Sequence, residues 1–213
     1  MFLQINHTIT NLLNNFILEN NLENLVWFFA DAPIFFLPIF FIWFWVYYEK
    51  YYFEEKKFSN LIKNFFSFKE NFLDKKKFFK SKILLIFYSI TFWLIINLII
   101  QQLFFFDRPE TLITPILQHI PDASFPSDHA TVSFAFLFWL FFAWYKKIFY
   151  SFFLLVILMN IARIAWWLHW FFDIFAGLII SLFSVLLVFK NQKNKYLINL
   201  NNFILNIAKF FKL

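Results

Sequence analysis

Five apolar runs, residues 25–48, 83–106, 129–145, 148–166 and 170–189, decide what this 213-residue chain can become. Each is near the roughly 20 residues that a helix needs to cross the hydrocarbon of a bilayer. Apolar residues make up 62% of the chain and charged residues only 15%, against about 25% in an ordinary soluble domain. One water-facing core of this length could not bury that excess. The expected fold is therefore all-α and integral to the membrane. It is a bundle of about five transmembrane helices in a single domain, residues 1–213.

The two ends of the chain have a different pattern. In residues 1–24, Phe2, Ile5, Ile9, Leu12, Leu13 and Phe16 recur at helical spacing among asparagines. This predicts an amphipathic helix lying on the membrane, or a sixth span; an Asn-rich tail is the plainer alternative. There is no basic start or small-residue cleavage site of a secretory signal. Residues 191–213 carry Leu197, Ile198, Phe203, Ile204, Ile207, Phe210 and Phe211 among Asn and Lys, which predicts a second interfacial helix, on the cytoplasmic side.

Lysines orient the bundle. Residues 49–82 hold ten lysines against five acids, and Lys146, Lys147, Lys190, Lys193 and Lys195 follow the third and fifth runs. The loops after the second and fourth runs hold no lysine. Positive loops stay in the cytoplasm, so the lysine-free loops and residues 1–24 are expected outside. The net charge of +6 thus belongs to membrane loops rather than to a nucleic-acid surface. With no cysteine, disulfides and thiolate metal sites are excluded.

Polar side chains then gather at the lysine-free end: Gln101, Asp107, Arg108, Ser127, Asp128, His129, Arg163, His169 and Asp173. Groups so costly near hydrocarbon point to function. The chain has only two arginines, Arg108 and Arg163, and both are in this set. Pro109 stops the helix that Arg108 closes. Pro126 and Ser127 read as a helix start, whose free N–H groups make an anion site. His169 and Asp173, four apart, are expected on one helical face with the carboxylate orienting the imidazole. Gly177, the sole glycine, is expected to let two helices approach closely.

These segments, Arg108-Pro109, then Pro126-Ser127-x-His129, then Arg163-x5-His169-x3-Asp173, resemble the signature of the PAP2 (type 2 phosphatidic acid phosphatase) superfamily. That signature reads K-x6-RP, PSGH and SR-x5-H-x3-D. Three positions depart from it: Gln101 replaces the lysine, Asp128 the glycine and Ala162 the serine. The acidic residue after the serine is similar to the undecaprenyl-diphosphate phosphatase branch.

The resemblance implies a haloperoxidase-like helical core and a metal-free, cofactor-free phosphatase. His169 is then the nucleophile, Asp173 its orienting partner and His129 the general acid and base. Arg108, Arg163, Ser127 and Gln101 contact phosphate, the arginines through their planar forks. Asp128 either shapes the pocket, holds a cation bridging a diphosphate, or caps its helix. The expected reaction hydrolyses undecaprenyl diphosphate to the monophosphate, on the outer face of a bacterial inner membrane, recycling carrier lipid for peptidoglycan. The alternatives are phosphatidylglycerol phosphate, phosphatidate or lipid A as substrate, or a non-enzymatic, transporter-like protein with a decayed site.

Overall fold

The structure is a computed structural model and describes residues 2–47, 75–109, 123–143 and 146–210. Seven helices and no strand lie among these described residues. They are α1 (Phe2–Glu19), α2 (Glu23–Tyr47), α3 (Lys75–Leu103), α4 (Asp128–Phe142), α5 (Lys146–Ala165), α6 (Phe171–Lys190) and α7 (Lys195–Phe210). Most of the lysine-rich 49–82 segment and most of the 107–128 loop, with Glu110, His119 and Asp122, lie outside them.

Four helices are long and apolar enough to cross a membrane: Glu23–Trp43 of α2, Lys80–Leu103 of α3, and all of α5 and α6. The chain is a multi-pass membrane protein. The third expected span, 129–145, differs in detail. It is the 15-residue α4, about 22 Å long at 1.5 Å per residue, short of a bilayer's roughly 30 Å. Nine of its residues are buried, because α3, α5 and α6 all pack around it. Its most extensive contact is with α6. The second span also ends early: after Leu103 the chain leaves the helix, and Phe104, Phe105 and Phe106 are exposed.

Helices in lipid gain little from hiding apolar surface from one another, so packing and buried polar contacts must hold them together. Small residues usually provide the first, and this chain has few. Aromatic edges take their place. Phe136 of α4 meets Phe40 of α2 at 5.2 Å and Phe152 of α5 at 5.0 Å between ring centres, both edge to face. Such pairs contribute about 0.5–1.5 kcal/mol each beyond their burial.

Gly177 supplies a very close approach of α6 to α4, as expected. A Cβ there would lie 2.7 Å from the Cβ of Ala130 and 3.1 Å from Ser127 O. Polar ties cross between helices as well. Asn160 Nδ2 donates to Ser133 Oγ at 3.2 Å, and Ser184 Oγ to Ser89 O at 2.9 Å.

The helix α1 lies along α5 and α6 at the end of the bundle that holds the polar cluster. Asn14 Nδ2 donates to Ala165 O at 3.1 Å, and Asn6 Oδ1 accepts from Phe172 N at 3.3 Å. Its polar Asn6 and Thr10 face the bundle, while Leu3, Leu12 and Phe16 are exposed. In α7, Asn201 is tied to Tyr88 at 2.8 Å and Tyr196, Phe203 and Phe210 are exposed. At the end opposite the cluster, Lys82 Nζ donates to Gln192 Oε1 at 2.6 Å and Trp139 Nε1 to Lys82 O at 2.9 Å.

Candidate active site

The spacing of the third motif is the length of one helix-ending turn plus one helix start. Helix α5 closes with Trp167 N donating to Ile164 O at 3.1 Å and Leu168 N to Arg163 O at 3.0 Å. This pair of bonds defines a Schellman ending, with Trp167 as its left-handed residue at φ 61°. A glycine would adopt that conformation freely; a tryptophan there costs about 1 kcal/mol. His169 N also donates to Arg163 O, at 3.2 Å. Five residues after Arg163, the chain has turned back to face it.

Helix α6 then begins. Trp170 is its N-cap, and Asp173, at the third helical position, accepts from Trp170 N at 2.8 Å. This is the carboxylate half of a capping box. His169 and Asp173 are thus not on one helical face. His169 lies in the turn just before α6, so its approach to Asp173, Nδ1 to Oδ2 at 3.6 Å, comes from the cap and not from helical periodicity.

Ser124 stands between the two. Its hydroxyl donates to Asp173 Oδ2 in a short hydrogen bond, and its carbonyl oxygen lies 3.0 Å from His169 Nδ1. A carbonyl can only accept, so Nδ1 carries the proton and donates to it. On the other side of the ring, Arg163 Nη2 donates to His169 Nε2 across 3.2 Å. A guanidinium can only donate, so Nε2 presents its lone pair. Both neighbours select the same tautomer. His169, 2% exposed, is held as the neutral Nδ1–H tautomer, with the Nε2 lone pair facing the Arg163 guanidinium.

The second motif caps α4. Ser127, in extended conformation, accepts from Ala130 N at 3.4 Å, and its own N–H donates to Asp173 O at 3.3 Å. Its hydroxyl thus serves the helix start. His129 is in the first turn, within electrostatic reach of Arg163, Asp31, His169 and Arg108. Asp128 turns to α3, where its Oδ1 accepts from Asn97 Nδ2 at 2.8 Å. Gln101 Nε2 donates to Pro126 O at 3.2 Å. Both side chains tie the start of α4 to α3.

Arg108, buried, donates from Nη1 to Leu168 O at 2.9 Å, within the turn that carries His169. Ser124 N donates to Phe106 O at 2.8 Å and Trp170 Nε1 to Asp107 O at 3.0 Å, which binds the Arg108 segment to both other motifs. The three stretches therefore meet at one end of the bundle. Beside them is a cavity of about 560 Å³, lined by Leu3, Phe105, Phe106, Phe125, Trp170 and Phe172 together with Arg108 and Asp173.

Three residues of this site were missed in the sequence. Asp31 of α2 forms an ion pair with Arg163, and its Oδ1 lies 3.6 Å from His129 Nε2. The signal was available: Asp31 is the one acidic residue within the apolar run 25–48. Ser124 and Asn97 are the others; Asn97 interrupts the second run, but nothing in the sequence pairs it with Asp128. No group of three or more His, Asp or Glu side chains placed to hold a metal ion occurs among the described residues.

Residues 82–197, more than half of the chain, match the family model described as the PAP2 superfamily. Neither a curated protein nor a solved structure matches the chain.

Proposed function

The chain belongs to the PAP2 superfamily, which points to a phosphatase acting on phosphate esters, and on that premise we propose that it hydrolyses undecaprenyl diphosphate to undecaprenyl phosphate and phosphate. The observation that carries the chemistry is the fixed tautomer of His169, with Nδ1 on Ser124 O at 3.0 Å and Nε2 facing Arg163 at 3.2 Å. A lone pair held beside a phosphate-binding cation is what in-line attack on phosphorus requires.

In the proposed route His169 Nε2 attacks the terminal phosphorus. The bond from that phosphorus to the bridging oxygen breaks, and His129 delivers a proton to the departing lipid phosphate. Water then attacks the phosphohistidine, His129 takes its proton, and phosphate and free His169 are released. Asp173, joined to Ser124, supports the Nδ1–H side of the ring as positive charge develops. Arg108, Arg163 and the N–H groups at the start of α4 hold the non-bridging oxygens. Ser127, Asp128 and Gln101 shape that start, the last two by bonds to Asn97 and Pro126. No metal or cofactor has a part in this route.

The choice of a diphosphate rests on Asp128, the acidic residue following the motif serine. The choice of compartment rests on the lysine pattern: a bacterial inner membrane with the site on its outer face, serving recycling of the carrier lipid. Because the chain has no cysteine, single cysteines at His7 and Lys193 test that orientation by labelling of intact cells. Label at His7 alone is expected; label at Lys193 alone reverses the topology.

Purified protein in detergent, with chelator present, should release phosphate from a polyprenyl diphosphate, and His169→Ala should abolish the release. A panel adding phosphatidylglycerol phosphate, phosphatidate and lipid A identifies the preferred lipid; faster turnover of a monophosphate defeats the diphosphate assignment. Undiminished release by His169→Ala would overturn the mechanism. No release from any of these lipids by wild type favours a non-enzymatic role.

A further inference from the structure

The carboxylate of Asp31 reaches between Arg163 and His129. Arg163 Nη1 donates to Asp31 Oδ1 and, at 3.1 Å, to Ala30 O, while Nη2 of the same guanidinium faces the His169 nucleophile. The same Oδ1 lies 3.6 Å from His129 Nε2. One carboxylate oxygen therefore bridges the anion-binding arginine and the proton-carrying histidine, beside the nucleophile, as an equatorial oxygen of a bound phosphoryl group must.

The two ends of the ion pair are unlike. The Arg163 side chain is 3% exposed and immobilised by its neighbours, whereas the Asp31 side chain is 57% exposed. The carboxylate is the accessible end of the pair, so a turn about its own side-chain bonds takes it off the guanidinium, which stays where it is. Residue 33 is proline, so α2 lacks a backbone donor one half-turn after Asp31.

We propose that Asp31 is a built-in competitor for the phosphate group, holding Arg163 until phosphate displaces it and then standing beside His129 as that histidine carries its proton. The proposal rests on the phosphatase reading above for its second half; its first half concerns anion binding alone. Asp31 is a positioning residue: it acts through Arg163 and His129 and touches no reacting atom. The exchange imposes a small penalty on every phosphate that enters and makes occupancy of Arg163 conditional on a group able to outcompete a carboxylate.

The test is the affinity of the full-length protein in detergent for inorganic phosphate, measured by titration calorimetry, in wild type, Asp31→Asn and Asp31→Glu. Removing the charge should tighten phosphate binding roughly fivefold, the upper range for a partly exposed pair. Asp31→Glu, which keeps the charge, should bind as wild type does. In turnover assays Asp31→Asn should lower KM and kcat together. A merely structural role predicts the reverse for binding, since a damaged site holds phosphate less well.

Equal or weaker phosphate binding by Asp31→Asn overturns the proposal, and so does a Glu variant that tightens as much as the Asn variant. If Asp31→Asn does not accumulate, Asp31→Ser carries the same comparison. A wild type that hydrolyses no phosphorylated lipid, together with tighter phosphate binding by Asp31→Asn, defeats the phosphatase reading and leaves the competitor role intact. Turnover by wild type without the tightening does the opposite.

Discussion

The α-carbon of Gly177 faces the side chain of Ala130 so closely that a single added methyl would lie 2.7 Å from its Cβ. The next nearest atoms are Ser127 O and Thr131 N, both backbone at 3.1 Å, so the start of α4 cannot yield without moving the cap that Ser127 makes. Gly177→Ala should cost about 1–3 kcal/mol through overpacking. The check is the melting temperature in detergent, with activity falling alongside it because α4 carries His129. An unchanged melting temperature would mean that the two helices separate without penalty.

Ser124→Ala separates the two jobs of that residue. The carbonyl to His169 remains, but the hydroxyl donated to the buried Asp173 carboxylate is lost, leaving Trp170 N as its other bond. A hydrogen bond to a buried charge contributes about 1.5–3 kcal/mol, and at the lower end its loss should appear as a roughly tenfold drop in kcat with little change in KM. Asp173→Asn should be more severe, because it removes the charge that opposes a positive imidazole. Steady-state kinetics on the two variants decide the order.

Replacing Arg108 or Arg163 with lysine keeps the charge and removes the fork. Arg163 uses one nitrogen for Asp31 and Ala30 and the other for His169, a division that an ammonium cannot copy. Arg163→Lys should lower kcat/KM by about 10²–10³-fold. Arg108→Lys should lose a comparable amount, since its Nη1 also secures Leu168 O in the turn next to the nucleophile. Normal turnover by either variant would show that charge alone suffices.

Asn97 is fully buried in α3, with its amide shared between Asp128 Oδ1 at 2.8 Å and Thr131 Oγ1 at 3.2 Å. Asn97→Leu conserves volume but leaves Asp128 without this donor. Stability should fall by about 1–3 kcal/mol. Combining it with Asp128→Ala should recover part of that loss, which a thermal-melt double-mutant cycle measures directly.

Much of this was legible in the sequence because the bilayer imposes length and the chemistry imposes spacing. Apolar runs located α2, α3, α5 and α6 to within a few residues at their site ends, and the motifs brought Arg108, Ser127, His129, Arg163, His169 and Asp173 to one end. Two kinds of information were not legible. Helical periodicity placed His169 and Asp173 on one face, but a Schellman ending followed by a cap gives the same spacing with different geometry. Cross-chain pairing was also hidden. Asp31 and Arg163 are 132 positions apart, and only the packing of α2 on α5 brings them together.

The turn between Arg163 and Asp173 acts as a ruler. Its marks are hydrogen bonds made by the backbone at 163, 168, 169 and 170, and within 164 to 168 only the left-handed position 167 constrains residue type. Substitution within the stretch is therefore a matter of fit, whereas a change of length is a matter of reach. Deleting one residue shifts the chain by about 3.5 Å, while catalytic groups tolerate errors of about 0.5 Å. The segment tolerates a change of spelling so long as its count is kept.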